Sequence, residues 1–507
     1  MRKIAVKIAS YNIAGFAVSL IAGFVAAPII VAKLGVDLYG VYSFIVTLIG
    51  FTSILEFGFS AAIVKFLAQY KDSDVKLANK TLFMGFSWLI LVGLIGSAFM
   101  FFGAEFLVKT FVRPDASAVR LAVKAIKIAS IGFIFGMVNN ALTGVLRAYL
   151  RYDLTNIINA AKIIVMYTAI IISLFSGYGL AVMVSITVLA NMSSMLVYFV
   201  TARKISNVLY MDRIANYLDL GIVRMIVSFS FFIGVNNLLS VAYFKVDKFI
   251  VGNILGASYI GYYSLGFLVA SMVMTINGLI FNFLFPHISN VLSTEQDRIG
   301  FYFSKSMKYA VATSTLLAFN VSAAGNFLLI AVMGRDFYSH IPYVIPVMAS
   351  LFYFSGIGVV PYHFYNALGK PKINLVSTGI GVGLYLVGCI FLTKRYGITG
   401  TASSLIFGII PFPIYFGIII KSLKISQIEI WWLIIRGFGA VAIGATLGAV
   451  IPKHIELGFG GLTIFVIISA VLSVSLCLCL RVIELPRGDL GKTIHKLRVF
   501  AKNIKRK

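Results

Sequence analysis

The sequence is poor in charge, in cysteine and in histidine. Only 12% of its 507 residues are charged and 60% are hydrophobic, whereas soluble domains carry about 25% charged residues. The mean hydropathy is +0.98. A soluble fold of this composition would expose large apolar surfaces to water, so the composition excludes that class and predicts a membrane protein. The three cysteines lie in apolar runs without zinc-type spacing, which predicts free thiols.

The sequence lacks the residues that several kinds of functional site require. The stretch from Gly488 to Thr493 ends like a phosphate-binding loop, but Pro486 stands where the first glycine is required. No zinc-protease motif or catalytic triad is supported, and we expect neither a metal nor a cofactor. The net charge of +26 is scattered over short loops and a basic tail at 484–507. Anchoring to anionic lipid headgroups explains that tail better than nucleic-acid binding does.

Long apolar runs take up most of the chain. A membrane-spanning helix needs about 20 mostly apolar residues. The runs predict an all-α, polytopic membrane protein with about 14 transmembrane helices, near residues 10–33, 38–66, 81–103, 119–146, 153–176, 178–201, 225–254, 258–285, 305–332, 341–367, 372–393, 396–419, 429–451 and 459–482.

The middle of the chain repeats its beginning. One motif recurs 221 residues later, and two further matches keep nearly the same spacing. The repeat therefore pairs helices 1–6 with helices 7–12. It predicts two pseudo-symmetric lobes, at 1–210 and 211–425, followed by helices 13 and 14 and the tail at 426–507. Duplicated bundles are typical of secondary transporters. The main match is Leu34-Gly35-x4-Gly40-x-Tyr42-Ser43 with Leu255-Gly256-x4-Gly261-x-Tyr263-Ser264, and the later ones are Tyr178-Gly179 with Tyr396-Gly397 and Arg151 with Lys370.

Basic residues predict the orientation. The termini and the even-numbered connections carry 28 of the 43 Lys and Arg residues, and the odd-numbered connections carry 12. Because cytoplasmic loops are enriched in Lys and Arg, both termini are expected in the cytoplasm.

Charged residues inside spans usually face a cavity or one another. The repeat places Asp247 and Lys248 opposite Ala26 and Ala27 of helix 1, so Lys245, Asp247 and Lys248 are expected within helix 7. An ion pair at a helix end is the alternative. The carboxylates Asp247 and Glu56 are candidates for coupling to an ion, although Glu56 could instead pair with a lysine.

The other candidate cations occupy helices 4 and 5. Arg120, Lys124 and Lys127 share one helix face and form a cationic stripe if helix 4 begins near 119. If the span begins near 128, they lie on an amphipathic surface helix. Lys162 lies about 13 Å along helix 5, on the face of Asn156 and Asn159, where reaching the cytoplasm is difficult.

Arg147 and Arg151 end helix 4 on the cytoplasmic side, where they could meet an anionic headgroup or simply anchor the helix. Cations outnumber carboxylates among all these candidates. A cationic cavity favours an anionic ligand, and phosphate or pyrophosphate is the common biological example.

The main repeat motif resembles the polysaccharide transporter branch of the multidrug/oligosaccharidyl-lipid/polysaccharide exporter superfamily, most of all the Wzx-type O-antigen flippases. The resemblance extends over essentially the whole chain. It implies two six-helix lobes around a central cavity in a bacterial inner membrane. Further stretches that carry it are Leu55-Glu56-Phe57-Gly58, Val246-Asp247-Lys248-Phe249-Ile250-Val251-Gly252-Asn253 and Tyr396-Gly397-Ile398-Thr399-Gly400.

The resemblance implies a flippase that moves an undecaprenyl-pyrophosphate-linked oligosaccharide from the inner to the outer leaflet, with polymerase and ligase machinery as possible partners. No ATP motif is present, so an ion or substrate gradient is expected to drive alternating access. A lipid II flippase and a drug/cation antiporter are the rivals within the superfamily. A membrane glycosyltransferase or polymerase is the rival from another class, and vectorial movement without chemical change distinguishes a carrier from it.

Overall fold

The computed structural model describes residues 2–206, 220–281, 284–454 and 459–479. The basic tail at 484–507 and most of the polar connection at 202–222 lie outside these ranges. Within them the chain is built from helices and contains no strand. In chain order the helices are α1 (Arg2–Leu34), α2 (Val36–Gly50), α3 (Thr52–Leu55), α4 (Phe59–Tyr70), α5 (Val75–Phe102), α6 (Ala104–Leu107), α7 (Ala116–Ala148), α8 (Tyr152–Phe175), α9 (Leu180–Ile205), α10 (Leu220–Leu255), α11 (Ala257–Ala270), α12 (Met272–Phe281), α13 (Leu284–Thr294), α14 (Ile299–Met333), α15 (Arg335–Ser339), α16 (Val344–Ala367), α17 (Pro371–Ser403), α18 (Leu405–Ile409), α19 (Phe412–Ser422), α20 (Gln427–His454) and α21 (Phe459–Cys479).

The helices confirm an all-α polytopic membrane protein. Across the described ranges, 11 helices are long and apolar enough to cross a membrane, or 12 if the two arms of α10, bent by 42°, form one span. Two shorter apolar helices are Val36–Gly50 and Thr463–Leu478. In lipid every backbone polar group must be bonded internally, which a helix achieves by itself. The count of 14 spans stays a prediction.

Contacts between Cα atoms divide the chain into two units. The first consists of Met1–Leu268, Ser339–Ile341 and Leu375–Ile410, and the second of Val269–Tyr338, Pro342–Asn374 and Pro411–Lys507. In the first unit α7 packs on α5 and α9, and α1 packs on α8. In the second, α14 packs on α16, α20 and α21. The lobes at 1–210 and 211–425 and the segment 426–507 stay a prediction.

The predicted span at 38–66 is broken in its middle. α3 ends at Leu55 and α4 begins at Phe59. Phe57 has φ 46° and Gly58 has φ 80°, and both angles lie in the left-handed region, which favours glycine and strains phenylalanine. The Phe57 ring occupies the space beside Gly234 of α10, where a Cβ atom would lie 2.6 Å from the ring. Packing against α10 therefore supports the break, which apolar periodicity did not predict.

Two other boundaries agree with the sequence. α7 is one continuous helix from Ala116, as expected for a helix beginning near 119, rather than a surface helix followed by a span from 128. α17 turns at Gly397 (φ 60°, ψ −146°), at the predicted boundary between the spans 372–393 and 396–419. A glycine suits this turn because a positive φ is costly for a residue with a Cβ atom.

Candidate functional site

The two copies of the repeat motif meet each other inside the first unit. Ser43 on α2 donates a hydrogen bond to Ser264 on α11, with the oxygens 2.7 Å apart. One end of this helix pair is joined by a second bond, from the Ser258 hydroxyl to the Asp37 carboxylate at 3.2 Å. Each bond joins a residue to its own equivalent 221 positions along the chain. This is the contact pattern of an interface on a twofold axis, here between two copies in one chain.

Glycine allows the two helices to approach closely at this point. A Cβ atom at Gly40 would overlap the carbonyl oxygen of Ala257, and one at Gly261 would lie 2.6 Å from the carbonyl oxygen of Val36. Small residues at helix contacts let backbones come together in membranes. The repeated glycines thus explain the α2–α11 crossing, the name used below for the contacts of residues 36–43 with residues 257–264.

Two lysines of α10, Lys245 and Lys248, contact α2. Lys245, Asp247 and Lys248 lie within the helix, as the repeat predicted. The Lys248 ammonium donates to the Ser43 hydroxyl at 3.0 Å, so it contacts the α2–α11 crossing itself. A Cβ atom at Gly50, about two turns further along α2, would overlap the Lys245 ammonium. Both side chains are half-buried, and both bring positive charge to the same face of α2.

Asp247 is fully buried beside this pair. Its carboxylate accepts hydrogen bonds from the Tyr263 hydroxyl at 2.6 Å and from the backbone N–H of Lys248 at 2.8 Å. Tyr263 belongs to the second copy of the repeat motif. A buried carboxylate needs such donors because it has lost the hydrogen bonds of water.

Glu56 lies at the break of the second span. Its carboxylate accepts a hydrogen bond from Ser60 at 2.7 Å, and the Asn140 side chain and the Arg147 charge lie close to it. The expected alternative of a lysine partner has no support among the described residues. The two residues after Glu56, Phe57 and Gly58, have backbone angles in the left-handed region. A carboxylate therefore lies at a helix break, as at ion sites of transporters.

Lys162 lies in a polar cluster formed by α7, α8 and α9. Its ammonium lies 3.4 Å from the side-chain oxygen of Asn191. Asn139 donates to the Asn191 carbonyl oxygen at 3.0 Å and to the Ser194 hydroxyl at 3.2 Å. Asn156, on the same helix as Lys162, packs against Gly15 of α1. The Asn191 side chain thus gives the Lys162 ammonium a polar partner inside the span, where an isolated cation would be costly.

The cations of α7 are more exposed. Arg120, Lys124 and Lys127 form one exposed stripe, and the Lys127 ammonium lies 5.2 Å from the centre of the Phe101 ring. Arg147 is exposed, although its charge lies near Glu56. The placement of these residues in a substrate cavity stays a prediction.

In the described part of the chain three ion pairs lie in the connections or at helix ends, and one of them joins Arg298 to Glu295 at 2.9 Å. Arg151 makes two hydrogen bonds to Asp153 at 3.1 Å, which raise the pKa of the guanidinium. Arg151 is thereby occupied by a neighbour in the first turn of α8. Lys109 pairs with Glu105, and its hydrogen bond and positive charge lower the pKa of that carboxyl.

The sequence analysis identified the charged residues of the site but not the side chains that they contact. Ser43, Tyr263 and Ser264 stand in the repeat motif, which was interpreted as a marker of duplication and not as a set of contacts. Their shared offset of 221 residues was the available signal. A motif close to a twofold axis meets its own copy.

Removing the donor to Asp247 is expected to destabilise the protein. Tyr263→Phe leaves the aromatic ring and deletes the hydroxyl, so one oxygen of a buried carboxylate loses its hydrogen bond. A cost of about 1–2 kcal/mol is expected, measured by thermal unfolding in detergent. Tyr178→Phe is the matched control because Tyr178 is 57% exposed. Equal melting temperatures for the two variants would show that the bond contributes nothing.

Many apolar helices, an internal repeat that packs on itself, and buried charges within spans together define a polytopic membrane protein with charged groups inside its helix bundle. The chain belongs to the polysaccharide biosynthesis protein family, whose model matches residues 30–342. A relative from Shigella flexneri, named "Putative O-antigen transporter", is 22% identical over 411 residues, which are 79% of this chain and 93% of the relative.

Two solved structures show the same fold. The lipid II flippase MurJ in an inward closed conformation superposes with a TM-score of 0.70 and 15% identity, covering 93% of this chain and 98% of MurJ. An inward-facing multidrug resistance transporter of the MATE family superposes with a TM-score of 0.61 and 13% identity, covering 82% of this chain and 94% of the transporter. All these relatives bear the names of carriers, and none bears the name of an enzyme.

Proposed function

We propose that the protein is a flippase for undecaprenyl-pyrophosphate-linked oligosaccharides, such as O-antigen repeat units, and moves them from the inner to the outer leaflet of a bacterial inner membrane. The observation that carries the proposal is the position of Lys245 and Lys248. Both cations lie within a membrane helix, half-buried, and Lys248 contacts the α2–α11 crossing. A pyrophosphate group can take the place of these contacts, because a phosphate oxygen is a stronger acceptor than a hydroxyl for an ammonium group.

The proposed mechanism is alternating access. The sugar and pyrophosphate enter the cationic region while the polyprenyl tail stays in lipid. The lobes at 1–210 and 211–425 then rock, and opening and closing of the α2–α11 crossing controls access from one side. Lys162, Lys245 and Lys248 are the cations proposed to bind the pyrophosphate within the spans, and Arg120, Lys124, Lys127, Arg147 and Arg151 are proposed to attract it. Asp247 or Glu56 carries the coupling ion, and both termini lie in the cytoplasm.

The experiment is export in a strain that lacks its own flippase, offered defined oligosaccharides. Lipid-linked repeat units at the outer face are counted with an impermeant label. The wild-type protein is expected to restore export, and Lys162→Ala to lower it about tenfold because a charged contact to phosphate is lost. Lys76→Ala is the matched control, because Lys76 is an exposed lysine in the first turn of α5. Chemical change of the sugar donor instead of vectorial movement would favour an enzyme.

A lipid II flippase is the second candidate, favoured by the superposition on MurJ over 93% of the chain. Both substrates carry a polyprenyl pyrophosphate, so the cationic region suits either. Depletion of the host's lipid II flippase distinguishes them: rescue of growth by this protein, without export of oligosaccharide repeat units, would assign it to peptidoglycan. A drug/cation antiporter is disfavoured because cations outnumber carboxylates among the candidates.

A further inference from the structure

A row of buried polar side chains, called the file below, leads away from Asp247 within the first unit. Each member is 0% exposed, although each lies in a helix with lipid-length apolar runs. Burying polar groups costs free energy unless they have partners or a function. The members come from α10, α11 and α17, and they are Asp247, Tyr263, Tyr385, Cys389, Thr393 and Thr401.

The inner end of the file is the carboxylate. Tyr263 donates to it at 2.6 Å, and the Tyr385 hydroxyl lies beside it and beside the Cys389 thiol. In the part of the chain that the structure describes, this buried tyrosine hydroxyl has no hydrogen-bond partner. The charged groups that face Asp247 are Lys248, and Lys245 behind it, on α10. A proton therefore passes this link when the Tyr385 hydroxyl turns to bond first with one neighbour and then with the other.

The outer end of the file reaches the turn of α17. The Cys389 sulfur lies 3.8 Å from the Thr393 hydroxyl, which lies 2.8 Å from the Thr401 hydroxyl across the turn at Gly397. Thr393 is followed directly by Lys394, Arg395 and Tyr396, which are all exposed. In the proposed orientation this turn faces the outer solution, so the buried Thr393 and Thr401 are the members of the file nearest to that solution.

Helix packing alone does not require this arrangement. A buried threonine in a helix usually bonds to a carbonyl one turn back, and Ser404 does so with Thr401 at 2.6 Å. Thr401 also lies 3.4 Å from the Gly397 carbonyl oxygen one turn back, and in addition Thr393 and Thr401 bond to each other across two helical segments. A hydroxyl both donates and accepts, so hydroxyls placed in series can pass a proton along.

We propose that this file conducts the coupling proton between the outer solution and Asp247. The inference rests on the proposed ion-coupled flippase and adds the route of the ion. A hydronium ion gives a proton to Thr401 or Thr393, each O–H or S–H group accepts one proton and releases another, and the carboxylate of Asp247 becomes a carboxylic acid. Only bonds to hydrogen form and break. Neutral Asp247 no longer attracts Lys248, and the ammonium becomes available to an anionic ligand.

The test follows protonation of Asp247 directly, in the full-length protein in proteoliposomes. The infrared carboxyl band that Asp247→Asn removes is monitored after an acid jump on the side of the α17 turn. Thr393→Val and Thr401→Val keep the side-chain shape and delete the hydroxyl. Each is expected to slow the appearance of the band by about tenfold or more. Thr393→Ser keeps a hydroxyl and should restore the rate, which separates conduction from folding.

Thr446→Val is the matched control, because the exposed Thr446 bonds only within its own helix, at 2.9 Å to Ala442. Wild-type rates in both Thr393→Val and Thr401→Val would overturn the relay, as would an acid jump that never protonates Asp247. This readout needs no glycolipid. Failure of the proposed function shows separately, as a wild-type protein that exports no lipid-linked oligosaccharide although the band responds to acid.

Discussion

Gly40→Ala is expected to abolish most transport, although it adds a single methyl group. The new Cβ atom would overlap the carbonyl oxygen of Ala257, and a backbone atom of a packed helix cannot move aside as a flexible side chain does. Forced overpacking costs about 1–3 kcal/mol. This cost shifts an equilibrium between closed and open crossings by about 5- to 150-fold. Export of lipid-linked repeat units measures the loss.

Cross-linking measures the closed crossing separately. Cysteines introduced by Asp37→Cys and Ser258→Cys occupy positions whose side chains are now 3.2 Å apart. They should form a disulfide readily with Gly40 present and poorly with Gly40→Ala. Gly383→Ala is the matched control, since a Cβ atom there meets nothing within 4 Å. If the Gly40→Ala protein transports and cross-links like the control, closure of the crossing is not part of the cycle.

Lys248→Met is expected to lower export by about 30-fold or more. The substitution keeps the length of the side chain but removes the ammonium that donates to Ser43. Truncating one partner of a buried charged contact costs about 2–5 kcal/mol, and 1.4 kcal/mol corresponds to a factor of ten. Lys372→Met is the matched control because Lys372 is exposed. Retention of full export by Lys248→Met would remove this residue from the substrate path.

A second substitution distinguishes loss of transport from loss of folding. Lys248→Met leaves Asp247 buried without its adjacent cation, which by itself can destabilise the protein. Asp247→Asn in the same chain removes that charge, so the double variant should regain the thermal stability of the wild type. Its export should stay low because the ammonium and the proposed coupling carboxylate are both missing. Full recovery of export would mean that Lys248 only neutralises Asp247.

The repeat shows how far sequence reasoning can reach. An offset of 221 residues placed Lys245 and Asp247 inside a helix, where hydropathy alone favours a loop, and α10 confirms the helix. The same offset links Ser43 to Ser264 and Asp37 to Ser258. Periodicity and spacing are local properties, so they identify equivalent positions but not the contacts between them.

The cationic stripe of α7 illustrates the opposite case. Its spacing correctly placed Arg120, Lys124 and Lys127 on one face of a helix. All three side chains are exposed, and Lys127 lies over an aromatic ring, whereas Lys162 is held inside the bundle by Asn191. Helical spacing determines which residues share a face, but the packing of neighbouring helices determines what that face meets.

The sequence by itself determined the class of the protein, because apolar runs of membrane length permit only helices. It also determined which spans carry charge. Only the tertiary structure decided the break after Glu56, the meeting of the two motif copies, and the contact of Thr393 with Thr401 across the turn of α17. These features depend on contacts between distant segments, whose energies no local pattern of residues contains.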